Sequence, residues 1–318
     1  MTVHRIATSL GDRRSDLYLF VGPARSVLFD TGVAGTIPTH VLPYLAEHSI
    51  DARSIELVVI SHCDVDHFGG IGDVREHLPA ARVVAHAADA PLMADFHAFM
   101  SGRGEPFGER HGVREDEAAR AWLREVTREG AVDVLVSGAE SIDLGDHSLT
   151  LVHVPGHSLG HLAVWDPAAR FLAISDAILG SAVPLANGAP AFPPTYRHVS
   201  DYLETIGAVR RLAPATLATA HYGVFEGGAL VEFLDESEHF VRELDEQVRG
   251  ALSRAGEAGT TLAELLEDLS GRIGTWPPEG RGPALAFPVA GHVEWLAQQG
   301  AAVIDLSTTP SRFFGTRS

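Results

Sequence analysis

The first 225 residues alternate between short apolar runs and stretches that combine polar residues with glycine or proline. Two of these runs flank Gly22 and Pro23 within residues 16–29, which predicts a β-hairpin ahead of the first helix. Runs of this length are typical of buried strands. The predicted strands of the core cover residues 27–29, 57–60, 82–86, 149–154, 171–174 and 216–219.

Apolar residues at helical spacing lie between these strands and predict helices over residues 43–50, 69–78 and 200–212. Residues 89–130 form an insertion in which two helical patterns, 91–100 and 115–128, flank a glycine-rich loop. An insertion of this kind either acts as a lid over a cleft or packs on the sheet or on a second subunit. The sequence leaves these alternatives open.

The pattern becomes helical beyond residue 227, where an apolar stripe continues to about Gly256. Thr261 and Glu264 form a capping-box pattern at the start of a further helix. Residues 289–299 predict a third helix and residues 301–304 a short strand. Because 318 residues exceed the usual length of one domain, we expect a larger domain of residues 1–227 and a small helical domain of residues 228–318.

Charge and composition narrow the function classes. The chain has 42 acidic and 24 basic side chains, a formal net charge of −18, which disfavours nucleic acids and anionic membranes as partners. Cys63 is the single cysteine, so an intrachain disulfide is excluded and a reducing compartment fits. The sequence begins without a signal-peptide pattern and has no apolar run long enough to span a bilayer, so we expect a cytoplasmic protein.

The densest chemistry in the chain follows the strand of residues 57–60. Four strong metal ligands stand within six positions, and four other predicted strands end at or near an aspartate or histidine. Because strand ends aim the loops that follow them, we expect these side chains to meet at the common end of a sheet. The alternative is that these acids and histidines are solvated loop residues, but this does not readily explain four metal-binding side chains within residues 62–67. The candidate metal ligands are His62, Asp64, Asp66, His67, His157, Asp176 and His221.

Two further residues are candidates to support this cluster. Asp30 follows the strand of residues 27–29, where it either orients a metal-binding imidazole through its other nitrogen or serves as a turn aspartate before glycine. His161 lies four residues after His157 and is expected to brace that loop. The glycine at position 156 would let His157 approach an ion closely.

The ordered set of Asp30, the segment from His62 to His67, His157, Asp176 and His221 resembles the five motifs of the metallo-β-lactamase superfamily. The resemblance covers residues 5–227. It implies an α+β fold, a four-layer αβ/βα sandwich of two mixed sheets, with two divalent metal ions at one edge. The tail resembles, by pattern, the winged-helix-like segment of the β-lactamase-like protein 2 group. Its residues 289–299 contain no arginine or lysine, so we expect packing or homodimer formation rather than DNA binding.

The resemblance also implies a ligand set. His62, Asp64 and His157 would hold the first ion, Asp66, His67 and His221 the second, and Asp176 would bridge them. The family usually has histidine where this chain has Asp64, and flavodiiron members have glutamate there. Zinc is therefore expected, with iron or manganese as alternatives because the carboxylate makes the first site harder.

The expected activity is hydrolysis of a small carboxyl-derived substrate, a thioester, ester or lactone, by a water ionised between the ions. Asp66 would hold the attacking hydroxide and then transfer its proton, and Tyr222 is a possible substrate contact. Hydrolysis of a phosphodiester and an iron-dependent oxidoreductase remain as alternatives. The net charge counts against the first, and the lack of a flavin-binding domain counts against the second.

Overall fold

The structure is a computed structural model that describes residues 1–277 and 282–316. Strands dominate up to Glu226 and helices beyond it. The strands are β1 (Thr2–Ile6), β2 (Ser9–Leu10), β3 (Arg13–Arg14), β4 (Leu17–Val21), β5 (Ser26–Phe29), β6 (Ile55–Val59), β7 (Arg82–His86), β8 (Val134–Val136), β9 (Ser141–Asp143), β10 (Ser148–His153), β11 (Leu162–Asp166), β12 (Phe171–Ser175), β13 (Val183–Pro184), β14 (Pro190–Phe192), β15 (Thr216–Thr219), β16 (Val224–Glu226), β17 (Ala302–Asp305) and β18 (Arg312–Gly315).

The helices are mostly short in the first 226 residues and longer afterwards. They are α1 (Leu42–Glu47), α2 (Val65–Phe68), α3 (Ile71–His77), α4 (Ala90–Met93), α5 (Phe96–Phe99), α6 (Gly108–His111), α7 (Glu117–Glu125), α8 (Val199–Leu212), α9 (Gly227–Ala255), α10 (Leu262–Leu269) and α11 (Gly282–Gln298). Shorter turns of other helical types cover Ile37–Val41, Ala52–Ser54, Met100–Gly104 and Gly256–Ala258. None of the helices within the described residues is long and apolar enough to cross a bilayer.

Two six-stranded sheets form the centre of the described residues. The first has the order β1, β4, β5, β6, β7, β8, with parallel pairing from β5 to β8 and antiparallel pairing of β1, β4 and β5. The second has the order β16, β15, β12, β11, β10, β9, in which β12 and β15 pair in parallel and the other neighbours are antiparallel. Both sheets are therefore mixed, as the resemblance implies.

The two sheets pack face to face, with helices on their outer faces. Apolar side chains of both inner faces form one cluster that joins Phe20 and Val59 of the first sheet to Leu151 and Val164 of the second. A separate cluster covers the other face of the first sheet with α1, α3 and the insertion, and a third covers the second sheet with α8 and α9. This layering confirms the predicted four-layer αβ/βα sandwich and the α+β class.

The strand ends that carry the candidate site come from both sheets. Asp30 and His62 follow β5 and β6 of the first sheet, whereas His157, Asp176 and His221 follow β10, β12 and β15 of the second. The expectation of a common end of one sheet is therefore wrong. The residues still meet, because the two sheets pack on each other and present their loops at the same edge.

The insertion differs from its predicted helices. The pattern over residues 91–100 is split into α4 and α5, because the Asp95 carboxylate accepts the Ala98 N–H at 2.7 Å and starts a new helix there. Asp116 caps α7 in the same way by accepting from the Ala119 N–H at 2.7 Å. Between α5 and α6, the first residues of the predicted glycine-rich loop belong to the π-helical turn Met100–Gly104, and the Arg103 side chain is buried there.

In the part of the C-terminal segment that the structure describes, the helices α9, α10 and α11 are followed by the ribbon of β17 and β18. The predicted capping box is present: the Thr261 hydroxyl accepts from the Glu264 N–H, and the Glu264 carboxylate accepts from the Thr261 N–H at 2.7 Å. Leu244 of α9 and Leu265 of α10 belong to the same apolar cluster as Leu217 of the second sheet. The core is therefore continuous across residue 227, and the domain boundary and winged-helix likeness stay predictions.

Candidate metal centre

The seven candidate ligands converge at one edge of the sandwich. Their nitrogen and oxygen atoms form adjoining groups, within each of which these atoms lie within 4.8 Å of one another. The first group is His62, Asp64 and His157. The second group is Asp66, His67 and His221. A third combination of His62, His67 and Asp176 joins the two groups, which is the position expected for a bridging carboxylate.

Asp30 fixes the orientation of His67. Its Oδ2 lies 2.9 Å from His67 Nδ1 and also accepts hydrogen bonds from the hydroxyls of Ser61 and Ser175. Because a carboxylate only accepts, Nδ1 carries the proton and Nε2 points its lone pair into the cluster. Nε2 is buried and has no hydrogen-bond partner among the described residues. This is the contact that the predicted role of Asp30 requires, and the role itself stays a prediction.

His221 is oriented in the same manner by the backbone. Its Nδ1 donates to the carbonyl oxygen of Arg14 at 2.5 Å, so Nε2 carries a lone pair as well. Nε2 lies 3.0 Å from Asp176 Oδ2 and 3.5 Å from Asp66 Oδ2. Two imidazole lone pairs thus face carboxylate oxygens, a donor set that fits a divalent transition-metal ion.

The carboxylates of the second group favour positive charge there. Burial by itself lowers the pKa of His67, but the carboxylates of Asp66, Asp176 and Asp30 raise it well above its ordinary value. Burial likewise lowers the pKa of His221, and Asp176 raises it above the usual value. Positive charge, as protons or as a metal ion, is therefore bound strongly at this place.

Arg103, which the sequence analysis missed, contacts two residues of the first group. Arg103 Nε and Nη2 donate to the two oxygens of Asp64 at 2.5 and 2.7 Å, and Nη2 lies 2.9 Å from His157 Nε2. Burial would raise the pKa of Asp64, but the guanidinium holds it well below its usual range. Burial, and then Arg103, lower the pKa of His157 to about 4, so this imidazole is neutral.

The loop that delivers His157 depends on glycine. Gly156 has a φ of +136°, and a Cβ at this position would lie 2.5 Å from Tyr202 Cα. Only a residue without a side chain fits against the α8 backbone here. The backbone at Gly156 thus lies close to helix α8, in addition to any approach of His157 to an ion.

A cavity of about 210 Å³ lies over the second group. Asp66, Asp176, His221 and Arg103 form part of its polar wall. Its apolar wall includes side chains from the insertion, from β14 and from α11, among them Phe99, Trp122, Leu123, Phe192 and Phe287. The insertion therefore packs beside the cleft, and whether it moves as a lid stays a prediction.

A family model described as the metallo-beta-lactamase superfamily matches residues 10–222, the part of the chain that contains all seven candidate ligands. The chain belongs to the metallo-beta-lactamase superfamily. This confirms the resemblance inferred from the motifs and accords with the layered fold.

Curated relatives of this chain are named as a thioesterase and as a hydrolase. The acyl-coenzyme A thioesterase MBLAC2 of Homo sapiens is 28% identical over 204 residues, which are 60% of this chain and 66% of the relative. A hydroxyacylglutathione hydrolase of Bdellovibrio bacteriovorus is 25% identical over 169 residues, 52% of this chain and 50% of the relative. The chain thus spans just under two thirds of the first relative and half of the second.

Solved superfamily structures share the fold over nearly the whole chain. The family protein TTHA1429 of Thermus thermophilus has a TM-score of 0.75 at 19% identity and covers 99% of this chain and 98% of its own. A β-lactamase domain protein of Burkholderia ambifaria has a TM-score of 0.69 at 17% identity, with coverages of 99% and 91%. The C-terminal segment is therefore part of a shared architecture.

The two remaining candidates lie outside the groups that could hold an ion. His161 stacks on His62 with ring centroids 4.5 Å apart, and its Nε2 donates to the carbonyl oxygen of Ile174. These contacts are compatible with a brace of the loop, and that role stays a prediction. The Tyr222 hydroxyl donates to the carbonyl oxygen of Ala182, and its ring packs on Phe233. The hydroxyl is thus engaged away from the ligand groups, and a contact of Tyr222 with substrate would require this bond to break.

Proposed function

We propose that this protein is a metal-dependent hydrolase that cleaves small thioesters. The observation that carries the proposal is the second group, in which two buried imidazoles turn their Nε2 lone pairs toward carboxylates beside a cavity. Relatives named acyl-coenzyme A thioesterase and hydroxyacylglutathione hydrolase support the thioester class among the carboxyl-derived substrates.

Asp66, His67, His221 and Asp176 would hold the ion. Zinc suits two imidazoles with carboxylates. When bound, the ion would lower the pKa of a water molecule and supply the hydroxide that attacks the thioester carbonyl. The predicted first ion, at His62, Asp64 and His157, would have to compete with Arg103 for the same ligand atoms.

Asp66 is the residue that we propose for proton transfer. Its Oδ2 lies 3.6 Å from His67 Nε2 and 3.5 Å from His221 Nε2, and its side chain lines the cavity. A carboxylate there can accept the proton of the attacking water and deliver it to the sulfur of the leaving thiol. Asp30 and the Arg14 carbonyl hold the two imidazoles in the required tautomer meanwhile.

The cavity wall fits a substrate with an apolar acyl group and an anionic thiol portion. Phe99, Leu123 and Phe192 offer the apolar surface. Arg13 also lines the cavity, with its guanidinium 4.8 Å from the ring centre of Phe192, in a chain of net charge −18. A basic group in this place would attract a carboxylate or phosphate on the thiol half of the substrate.

The experiment is a substrate panel with the zinc-loaded protein: acyl-coenzyme A and glutathione thioesters, lactones, simple esters and an aryl phosphodiester, with release of free thiol or alcohol as the signal. We expect turnover of thioesters and its loss in Asp66→Ala. The control is Asp235→Ala, which removes an exposed carboxylate of α9 paired with Arg210. Each variant is checked for folding by circular dichroism.

Two outcomes would contradict the proposal: full thioesterase activity in folded Asp66→Ala, or turnover of the phosphodiester alone. Bound iron together with oxygen consumption would instead favour the oxidoreductase alternative. That alternative was suggested by Asp64 as a metal ligand. A cytoplasmic location and a homodimer stay predictions.

A further inference from the structure

Arg103 is a buried cation inside a group of predicted metal ligands. Its side chain comes from the π-helical turn of the insertion, and the residue is 6% exposed. Nε and Nη2 pair with the two oxygens of Asp64, and Nη1 donates to the carbonyl oxygen of His157 at 3.0 Å. A two-pronged pair of this kind fixes the guanidinium in both position and plane.

The guanidinium also engages the atom of His157 that an ion would need. Nη2 lies 2.9 Å from His157 Nε2, and that nitrogen is 3.0 Å from Asp64 Oδ2. A guanidinium can only donate, and a neutral imidazole nitrogen either accepts through one lone pair or donates one proton. Whether Nε2 accepts from Arg103 or donates to Asp64, it has no lone pair left for a metal ion.

An aromatic ring of α11 also contacts the Arg103 guanidinium. Its guanidinium carbon lies 4.5 Å from the ring centre of Phe287 in α11, which in turn packs edge-on against Phe107. An aromatic face attracts a cation, and a desolvated site strengthens the attraction. Arg103 is therefore enclosed by Asp64, His157 and an aromatic ring that belongs to a distant part of the chain.

The residue at position 64 matches this arrangement. A buried guanidinium needs a counter-charge, which a carboxylate provides and the histidine usual in the family does not. We propose that the Arg103 guanidinium takes the place of the first metal ion, so that the protein binds a single divalent ion at the second group. His62 and His157 then serve to shape the site beside that ion.

The substitution keeps positive charge where the first ion would have supplied it. Arg103 lines the cavity together with Asp66, Asp176 and His221, so its charge lies beside the same substrate. The inference rests on the proposed function because it concerns the same site. Metal content tests the inference, whereas thioester hydrolysis tests the function.

The experiment measures metal per chain. Protein stripped with a chelator is reloaded with excess zinc, freed of unbound ion and analysed by plasma mass spectrometry. We expect one zinc per chain for the unchanged protein and two for Arg103→Met, which frees Asp64 and His157 while keeping an unbranched side chain. Asp64→His, which removes the counter-charge and restores the commoner ligand, is also expected to bind two. The control is Arg197→Met, because Arg197 packs on Phe107 and pairs with Glu294 instead, and it should bind one.

Two zinc ions in the unchanged protein would overturn the inference, and so would a folded Arg103→Met that still binds one. No bound zinc in the unchanged protein would overturn both the inference and the proposed function. If the variants do not fold, anomalous scattering from zinc-soaked crystals of the unchanged protein decides. A single peak at Asp66, His67 and His221 supports the inference, and a peak between His62, Asp64 and His157 with Arg103 displaced refutes it.

Discussion

Asparagine in place of Asp30 should weaken metal binding without changing any predicted ligand. Asp30 Oδ2 accepts from three groups, His67 Nδ1 and the hydroxyls of Ser61 and Ser175, and Oδ1 accepts from the Ser61 N–H at 2.6 Å. Asparagine keeps the shape but replaces one oxygen by an N–H donor. If the amide nitrogen faces His67, then Nδ1 must become the acceptor and the proton moves to Nε2, which can no longer bind an ion. If it faces Ser61, two donors oppose each other.

The size of the effect follows from the role of this contact. Removing the partner that orients a metal-binding imidazole typically lowers metal affinity by about 10–100-fold, which corresponds to about 1.4–2.7 kcal/mol. The assay is competition for zinc between the protein and a coloured chelator at constant pH. Circular dichroism and thermal unfolding of the metal-free variants separate a change of affinity from a loss of fold.

Asp166→Asn is the matched control. Asp166 is also buried, at the end of β11, but its Oδ1 accepts from the backbone N–H groups of Ala168 and Ala169, on the loop that leads into β12. We expect its zinc affinity to equal that of the unchanged protein. A folded Asp30→Asn protein that binds zinc as tightly as the unchanged protein would refute the proposed orientation of His67.

Two further substitutions test how the structure supports the site. Gly156→Ala places a Cβ 2.5 Å from Tyr202 Cα at a φ of +136°, so we expect the free energy of unfolding in urea to fall by about 1–3 kcal/mol. Gly188→Ala is the control, because Gly188 also has a positive φ but has open space around it, and this variant should lose less stability. Equal losses would show that the contact with α8 does not matter. Thr261→Ala removes the cap of α10 and should lower the free energy of unfolding by about 1 kcal/mol. Thr316→Ala, just after β18, removes only an exposed hydrogen bond to the carbonyl oxygen of Gly300 and should lower it less. An unchanged Thr261→Ala protein would contradict a stabilising role for this capping box.

The candidate ligands could be predicted because the end of a strand is visible in the local sequence. The runs before His62 and His221 are apolar, the residues after them are titratable, and the two features lie within a few positions of each other. Which sheet each strand joins depends on long-range pairing, so the common end of a single sheet was a wrong expectation. The candidate ligands still meet, because the loops of both sheets lie at the same edge of the sandwich.

Arg103 could not be predicted in the same way. Its neighbours Gly102 and Gly104 favour a loop, and its partners are 39 residues away at Asp64 and far along the chain at Phe287. One signal was available: an acid at position 64, where the family usually has histidine, leaves a negative charge that a nearby cation can neutralise. The insertion helices were likewise misjudged in length, because side-chain caps such as Asp95 act at single positions inside a continuous periodic pattern.

Helix α11 supplies Ala284 and Phe287 to the wall of the cavity, although it begins at Gly282, far along the chain from the last candidate ligand, His221. A segment far along the chain thus contributes to the wall of the cavity beside the candidate metal ligands. Exchanging α11 between relatives with the same architecture would change the wall of the cavity without replacing any of the seven candidate ligands. Truncating the chain after β16 would instead remove the part of the apolar cover of the second sheet that α9 supplies, and would leave the cleft open on one side.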